Sequence, residues 1–125
     1  MNQIPIIPLY TSRGDVEAFL RYPYLYNRMG EWIGWVTPDR QVYSVLGVYV
    51  GELTNERRII RRRSVDDLNL PRKTPPPPPP RLTIPANAPL APLMGDLPFG
   101  VIDVLAEEPE RLHPLDSGDL KEDLE

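Results

Sequence analysis

The chain has 125 residues, 41% of them hydrophobic, with 17 prolines, no cysteine and a formal net charge of −4. That length allows one ordinary domain plus extensions, and the missing cysteines exclude disulfides and thiolate metal sites. No apolar run approaches the ~18 residues of a membrane span.

The N-terminal MNQIPIIPLY lacks a basic n-region and an adequate apolar h-region, so it does not read as a signal peptide. A soluble, cytoplasmic protein is expected, and the absence of cysteine fits a reducing compartment. The two ends carry opposite charge. Residues 1–73 hold 11 basic and 8 acidic side chains, and residues 96–125 hold 2 basic and 10 acidic ones. Such asymmetry marks an interaction tail.

From residue 9 onward a short pattern repeats. Leu9-Tyr10-Thr11-Ser12-Arg13-Gly14, Leu25-Tyr26-Asn27-Arg28-Met29-Gly30 and Val42-Tyr43-Ser44-Val45-Leu46-Gly47 each place a tyrosine four residues before a glycine. A small residue follows four places on (Ala18, Gly34, Gly51) and an aliphatic one six places on (Leu20, Val36, Leu53). Units this short cannot bury an apolar face alone and must pack on one another. Each reads as a β-hairpin whose loop ends on a glycine in the left-handed region.

Alternation along the second strands puts Val16, Ala18, Leu20, Trp32, Gly34, Val36, Tyr49, Gly51 and Leu53 on one inner face. Glu17, Phe19, Ile33, Trp35, Val50 and Glu52 then take the other. Recurrent small residues in mid-strand indicate close backbone approach about a common axis; a plain meander with incidental glycines is the alternative. The links Arg21-Tyr22-Pro23, Thr37-Pro38-Asp39-Arg40 and Thr54-Asn55-Glu56-Arg57 are short enough to allow only up-and-down neighbours. A worn fourth copy, Ile59-Ile60-Arg61-Arg62-Arg63-Ser64 with Leu68 and Leu70, keeps the apolar positions and loses the tyrosine and glycine. The expected fold is all-β: four hairpin repeats over residues 1–70 in a pseudo-fourfold closed or flower-like arrangement, with a Pro-rich linker and tail.

The segments PLYTSRGDVEAFL, YLYNRMGEWIGWV and QVYSVLGVYVGEL resemble those of the bacterial small proteins called four-fold β-flower proteins. In these an aromatic-x-x-x-Gly-x-aliphatic-small-x-aliphatic unit occurs four times and a Pro-rich tail follows. The resemblance covers roughly residues 7–70. It implies a fold and no activity, so no catalytic residue is carried over, and Arg61-Arg62-Arg63-Ser64 departs from the family's glycine turn.

Residues 71–89 read as a Pro-rich linker. Six consecutive prolines, Pro75 to Pro80, fix φ and form polyproline II, a stiff spacer of roughly 20 Å at about 3.1 Å per residue. Docking into an aromatic-lined groove is the other reading. Residues 90–106 form an apolar docking segment, its candidate contacts being Leu90, Leu93, Met94, Phe99, Val101, Ile102, Val104 and Leu105. Residues 99–105 suit a strand by β-branched content, or a short helix with Asp96 as cap and Pro98 in its first turn. Exposed, this stretch would be sticky, so it should cover the chain's own module, a second copy or a foreign partner. Residues 107–125 read as an acidic disordered tail.

Chemistry is sparse. The lone His113 sits between Leu112 and Pro114, and no phosphate loop, zinc-ligand spacing or serine elbow occurs. No enzyme and no cofactor or metal are expected. Arg57, Arg58, Arg61, Arg62 and Arg63 could contact nucleic-acid phosphates, with nearby aromatics stacking bases, although the acidic tail could mask them. The leading expectation is a non-catalytic interaction or assembly module whose partner is another protein or a second copy. Nucleic-acid binding is the alternative.

Overall fold

The computed structural model describes residues 4–64 and 70–115. Eight strands lie in one sheet: β1 (Ile7–Tyr10), β2 (Val16–Arg21), β3 (Tyr24–Tyr26), β4 (Trp32–Val36), β5 (Gln41–Ser44), β6 (Tyr49–Leu53), β7 (Ile59–Arg62) and β8 (Val101–Asp103). Their spatial order is their chain order, every pair is antiparallel, and the sheet is curled. A short helix α1 (Val104–Glu107) and a 3-10 turn (Pro109–Arg111) follow β8 directly.

One turn is used five times. The N–H of Thr11, Asn27, Thr37, Ser44 and Thr54 donates to the carbonyl four residues on, and their side-chain oxygens accept the N–H of that same residue. The fourth residue of each turn is left-handed: Gly14 (φ 90°), Gly30 (83°), Arg40 (69°), Gly47 (82°) and Arg57 (67°). Glycine loops within hairpins and arginine links between them thus have the same geometry. Ser, Thr and Asn suit the first place because their side chains mimic a backbone acceptor.

The assignment of faces needs correction. Register shifts between Leu9 and Tyr10, Leu25 and Tyr26, and Val42 and Tyr43 leave Glu17, Ile33 and Val50 as the extra residues of three bulges. Each bulge resets the two-residue alternation. Ile33 and Val50 therefore enter the core with Leu9, Ala18, Leu20, Leu25, Val36, Val42, Leu53 and Ile59. Trp32 and Tyr49 pair with Tyr26 and Tyr43 and go to the opposite side.

The fourth hairpin is built differently from the sequence expectation. β7 pairs with β8, a strand from beyond the Pro-rich segment, through Ile60↔Asp103, Arg61↔Ile102 and Arg62↔Val101. Residues 99–105 are thus a turn at 99–100, strand at 101–103 and the start of the helix at 104. The sheet does not end at residue 70: Leu70 is exposed, and Leu68 lies outside the described residues. An unpaired β7 edge would be open to foreign strands, and β8 covers it. Val104, Leu105 and Leu112 then close the core from one side, with Leu112 lying over Gly34. Part of the stretch 107–125 is therefore ordered against the sheet; residues 116–125 lie outside the described residues. The first hairpin is joined to the last pair by Tyr10 N–H to the Arg57 carbonyl (2.8 Å) and by Ser12 N–H to Asp103 Oδ2 (2.6 Å).

Candidate interaction surface

The face opposite the core is aromatic. Trp35 stacks on Tyr43 at 5.1 Å, Tyr43 meets Tyr49 edge-on at 5.8 Å, and Tyr24 meets Trp32 edge-on at 6.3 Å. Burial pushes the Tyr26 and Tyr49 hydroxyls above the usual tyrosine range, so both stay protonated at neutral pH.

The polyproline run was expected to hold the tail away from the module as a spacer. It lies against the hairpins instead. Lys73 N–H donates to the Gly47 carbonyl and Leu82 N–H to the Gly30 carbonyl, both at 3.0 Å. Tyr24 donates its hydroxyl to the Pro77 carbonyl at 3.3 Å, and Tyr10 donates to Pro89 at 2.7 Å. Arg81 Nε donates to the Met29 carbonyl at 3.0 Å, and Lys73 Nζ stands 5.5 Å from the centre of the Tyr43 ring. Proline lacks an N–H but keeps a carbonyl, and tyrosine hydroxyls use it.

Approach is close enough to require glycine. A Cβ on Gly30 would stand 2.0 Å from the Leu82 oxygen, and one on Gly47 would stand 2.2 Å from the Lys73 oxygen. These contact residues were missed as site residues in the sequence. The signal was present: Pro80, Pro89 and Pro98 recur every nine residues.

The eight candidate docking residues divide into two groups. Ile102, Val104 and Leu105 are buried, and Val101 and Met94 are half-buried. Val101 and Ile102 are occupied within β8, and Val104 and Leu105 in the core. Leu90, Leu93 and Phe99 are the opposite case, at 95%, 99% and 106% relative exposure. Leu90 and Leu93 lie three residues apart, one polyproline II turn, and so share one edge. Phe99 stands in the turn from Pro98 to Val101, whose Val101 N–H donates to the Pro98 carbonyl at 3.2 Å. Ala91, Met94, Leu97 and Gly100 fall on the less exposed edge toward the sheet.

The arginine cluster is not gathered on one surface. Strand alternation turns Arg61 to the core side with Ile59 and leaves Arg62 exposed. Arg61 and Arg111 both bond Glu108 Oε1 at 2.7 Å, and Arg63 reaches Glu107 at 3.3 Å. Arg58 is buried, paired with Glu56 and bonded to Ser12 Oγ. Arg57 is exposed and occupies a left-handed turn position.

Burial alone would push the Glu108 carboxyl up. The hydrogen bond from Arg61, the charges of Arg111 and Arg61 and the bond from Arg111 outweigh it and hold the carboxyl below its ordinary 4.5. A depressed folded-state pKa contributes stability that is complete above 4.5 and is lost as pH falls through the lower folded value. Glu108→Gln should therefore narrow the drop in Tm between pH 7 and pH 3. An equal drop in both proteins would show that this carboxylate is not a source of acid sensitivity.

Among the described residues no group of three His, Cys, Asp or Glu side chains could hold a metal, and no helix is long and apolar enough to cross a membrane. His113 is half-buried, its Nδ1 3.0 Å from the Pro114 carbonyl oxygen.

A family model described as 4-fold beta flower protein matches residues 7–97, well over half of the chain. No curated protein and no solved structure matches. The matched region extends through most of the Pro-rich segment laid on the hairpins. The chain belongs to the 4-fold beta flower family.

Proposed function

We propose that this β-flower protein is a non-catalytic assembly module. Its three hairpins and the β7–β8 pair are read as four petals about a pseudo-fourfold axis, closed by contacts between the first petal and the last. The face offered to a partner protein or a second copy is the stretch bearing Leu90, Leu93 and Phe99. One observation carries this reading: three large apolar side chains within ten residues stand almost wholly in solvent, while residues between them are half-buried against the module. Isolated exposed hydrophobics need no explanation, whereas three close together on an anchored support are a contact surface.

The nucleic-acid alternative rests on fewer groups than the sequence offered. Arg58 and Arg61 are buried and paired with carboxylates, which leaves Arg57, Arg62 and Arg63 as the exposed members of the cluster.

Light scattering on the intact chain and on a Leu90→Ser, Leu93→Ser, Phe99→Ser triple variant tests the proposal. The intact chain should self-associate, or retain a discrete partner protein in pull-downs. The triple variant should be monomeric and partnerless with its Tm unchanged. Identical mass and identical retention in both would remove the ridge from the functional account.

A further inference from the structure

The seated side of the Pro-rich segment carries information separate from the exposed ridge. Its contacts with the sheet recur at a fixed spacing. Lys73 and Leu82 make the same bond, main-chain N–H to the carbonyl of a loop glycine, on the third and second hairpins respectively. Nine residues further, the Ala91 Cβ stands 3.7 Å from where a Cβ on Gly14, the first hairpin's loop glycine, would be. Nine further again, the Gly100 carbonyl accepts the Arg63 N–H at 2.7 Å beside β7. Residues 73, 82, 91 and 100 thus meet the third, second, first and last units in turn. Pro80, Pro89 and Pro98 each follow one of them by seven positions.

A nine-residue interval has a physical reason. It is three turns of polyproline II, so equivalent residues return to the same edge. Two tyrosine hydroxyls add bonds to proline carbonyls between these meetings, Tyr24 to Pro77 and Tyr10 to Pro89, five and two residues before Leu82 and Ala91. Aromatic shelves with hydroxyl donors are the means by which grooves recognise Pro-rich peptides. The glycines at 30 and 47 add the close approach that a main-chain bond to such a peptide needs.

We propose that the loop face of the hairpins is a polyproline II recognition site, one subsite per hairpin, read in nine-residue register. The chain fills it with its own residues 73–100, and the same segment of a second copy is its ligand in trans. A second copy is the fitting source because its segment repeats the matched spacing and needs no new contact. The resident segment competes at an effective concentration on the order of millimolar, so trans binding emerges when the resident is loosened.

The probe is a fluorescein-labelled peptide of residues 71–98, followed by anisotropy with full-length protein. Leu82 is buried and belongs to the segment, so Leu82→Asp loosens the resident while leaving the receiving hairpins unaltered. The peptide should bind the L82D chain at least about tenfold more tightly than the intact chain, and a peptide carrying L82D should bind neither. Equal affinity for the two chains overturns the proposal, and so does equal binding by an oligoproline of the same length.

If L82D loses its cooperative melt, amide exchange on the intact chain decides. Lys73 and Leu82 should exchange at least about tenfold more slowly than their neighbours Thr74 and Thr83. Matching rates would mean that the segment is not held in this register.

Discussion

Gly51→Ala should lower the melting temperature by about 10–25 °C, corresponding to about 3 kcal/mol in a domain of this size. The added Cβ would stand 2.4 Å from the Ile60 oxygen and 3.1 Å from the Ile60 carbonyl carbon. Both are backbone atoms of the neighbouring strand β7, so relief requires the β6–β7 pair to separate rather than a side chain to rotate. Gly34→Ala meets one backbone oxygen, that of Tyr43 at 2.6 Å, and the mobile tip of Leu112 at 2.8 Å. It should cost less than Gly51→Ala by the part Leu112 can yield. Gly95→Ala is the control: nothing lies within 4 Å of its Cβ, and its Tm should move by no more than 2–3 °C for a change within about 0.5 kcal/mol. Thermal unfolding of the three variants, followed by circular dichroism, checks the order. A Gly51→Ala melt matching that of Gly95→Ala would refute the close approach of β6 and β7.

Ending the chain after Pro98 should abolish the cooperative transition altogether. The cut removes β8 and the buried side chains of Ile102, Val104, Leu105 and Leu112. Four such side chains represent on the order of 6–12 kcal/mol of apolar burial, more than the about 3–5 kcal/mol that a core of this size supplies. The cut also opens the β7 edge, so a concentration-dependent rise in scattering should accompany the loss of structure. Ile102→Asp in the full chain should reproduce the effect, because a carboxylate would enter the core without a partner. A truncated chain that still melted cooperatively near the intact value would mean that the curled sheet is self-sufficient without its eighth strand.

The legible part of the fold was what depends on local chemistry. Tyrosine, then three loop residues, then glycine specified the three hairpins, and Gly14, Gly30 and Gly47 do take positive φ. The small residues at 18, 34 and 51 pointed correctly to the crowded face. The alternation failed at Trp32 and Ile33, and again at Tyr49 and Val50, because a bulge adds a residue without a compositional mark. Arg40 and Arg57 in left-handed turns were unforeseen for a related reason. The Thr37 and Thr54 side chains cap those turns as Thr11, Asn27 and Ser44 cap the glycine loops, so the turn survives without glycine.

The proposed site was less legible, since composition changes sharply at residue 71 and the fold does not. A proline run looks like a spacer when only its missing donors are counted. Its carbonyls remain, and Tyr10 and Tyr24 reach two of them. Val101 and Ile102 read as a sticky stretch that should cover the chain's own module, a second copy or a foreign partner, and the fourth repeat was given Leu68 and Leu70 in place of the return strand that residues 101–103 supply. That vacancy and that surplus were the same fact, separated by the linker.

The descent of the last strand from residues 101–103 also fixes a timetable for biosynthesis. Strands up to β7 are contiguous, but the ribosome must add about 40 further residues before β7 can meet β8 on its other side, roughly 2–8 s at ordinary elongation rates. During that interval the nascent chain exposes a naked edge beside Arg61, Arg62 and Arg63, whose mutual repulsion discourages capture by other nascent chains. Threading the prolines past three hairpins therefore belongs to the late stage of maturation, and a pause in translation within codons 71–98 would prolong the window in which the newborn protein is open to misassembly.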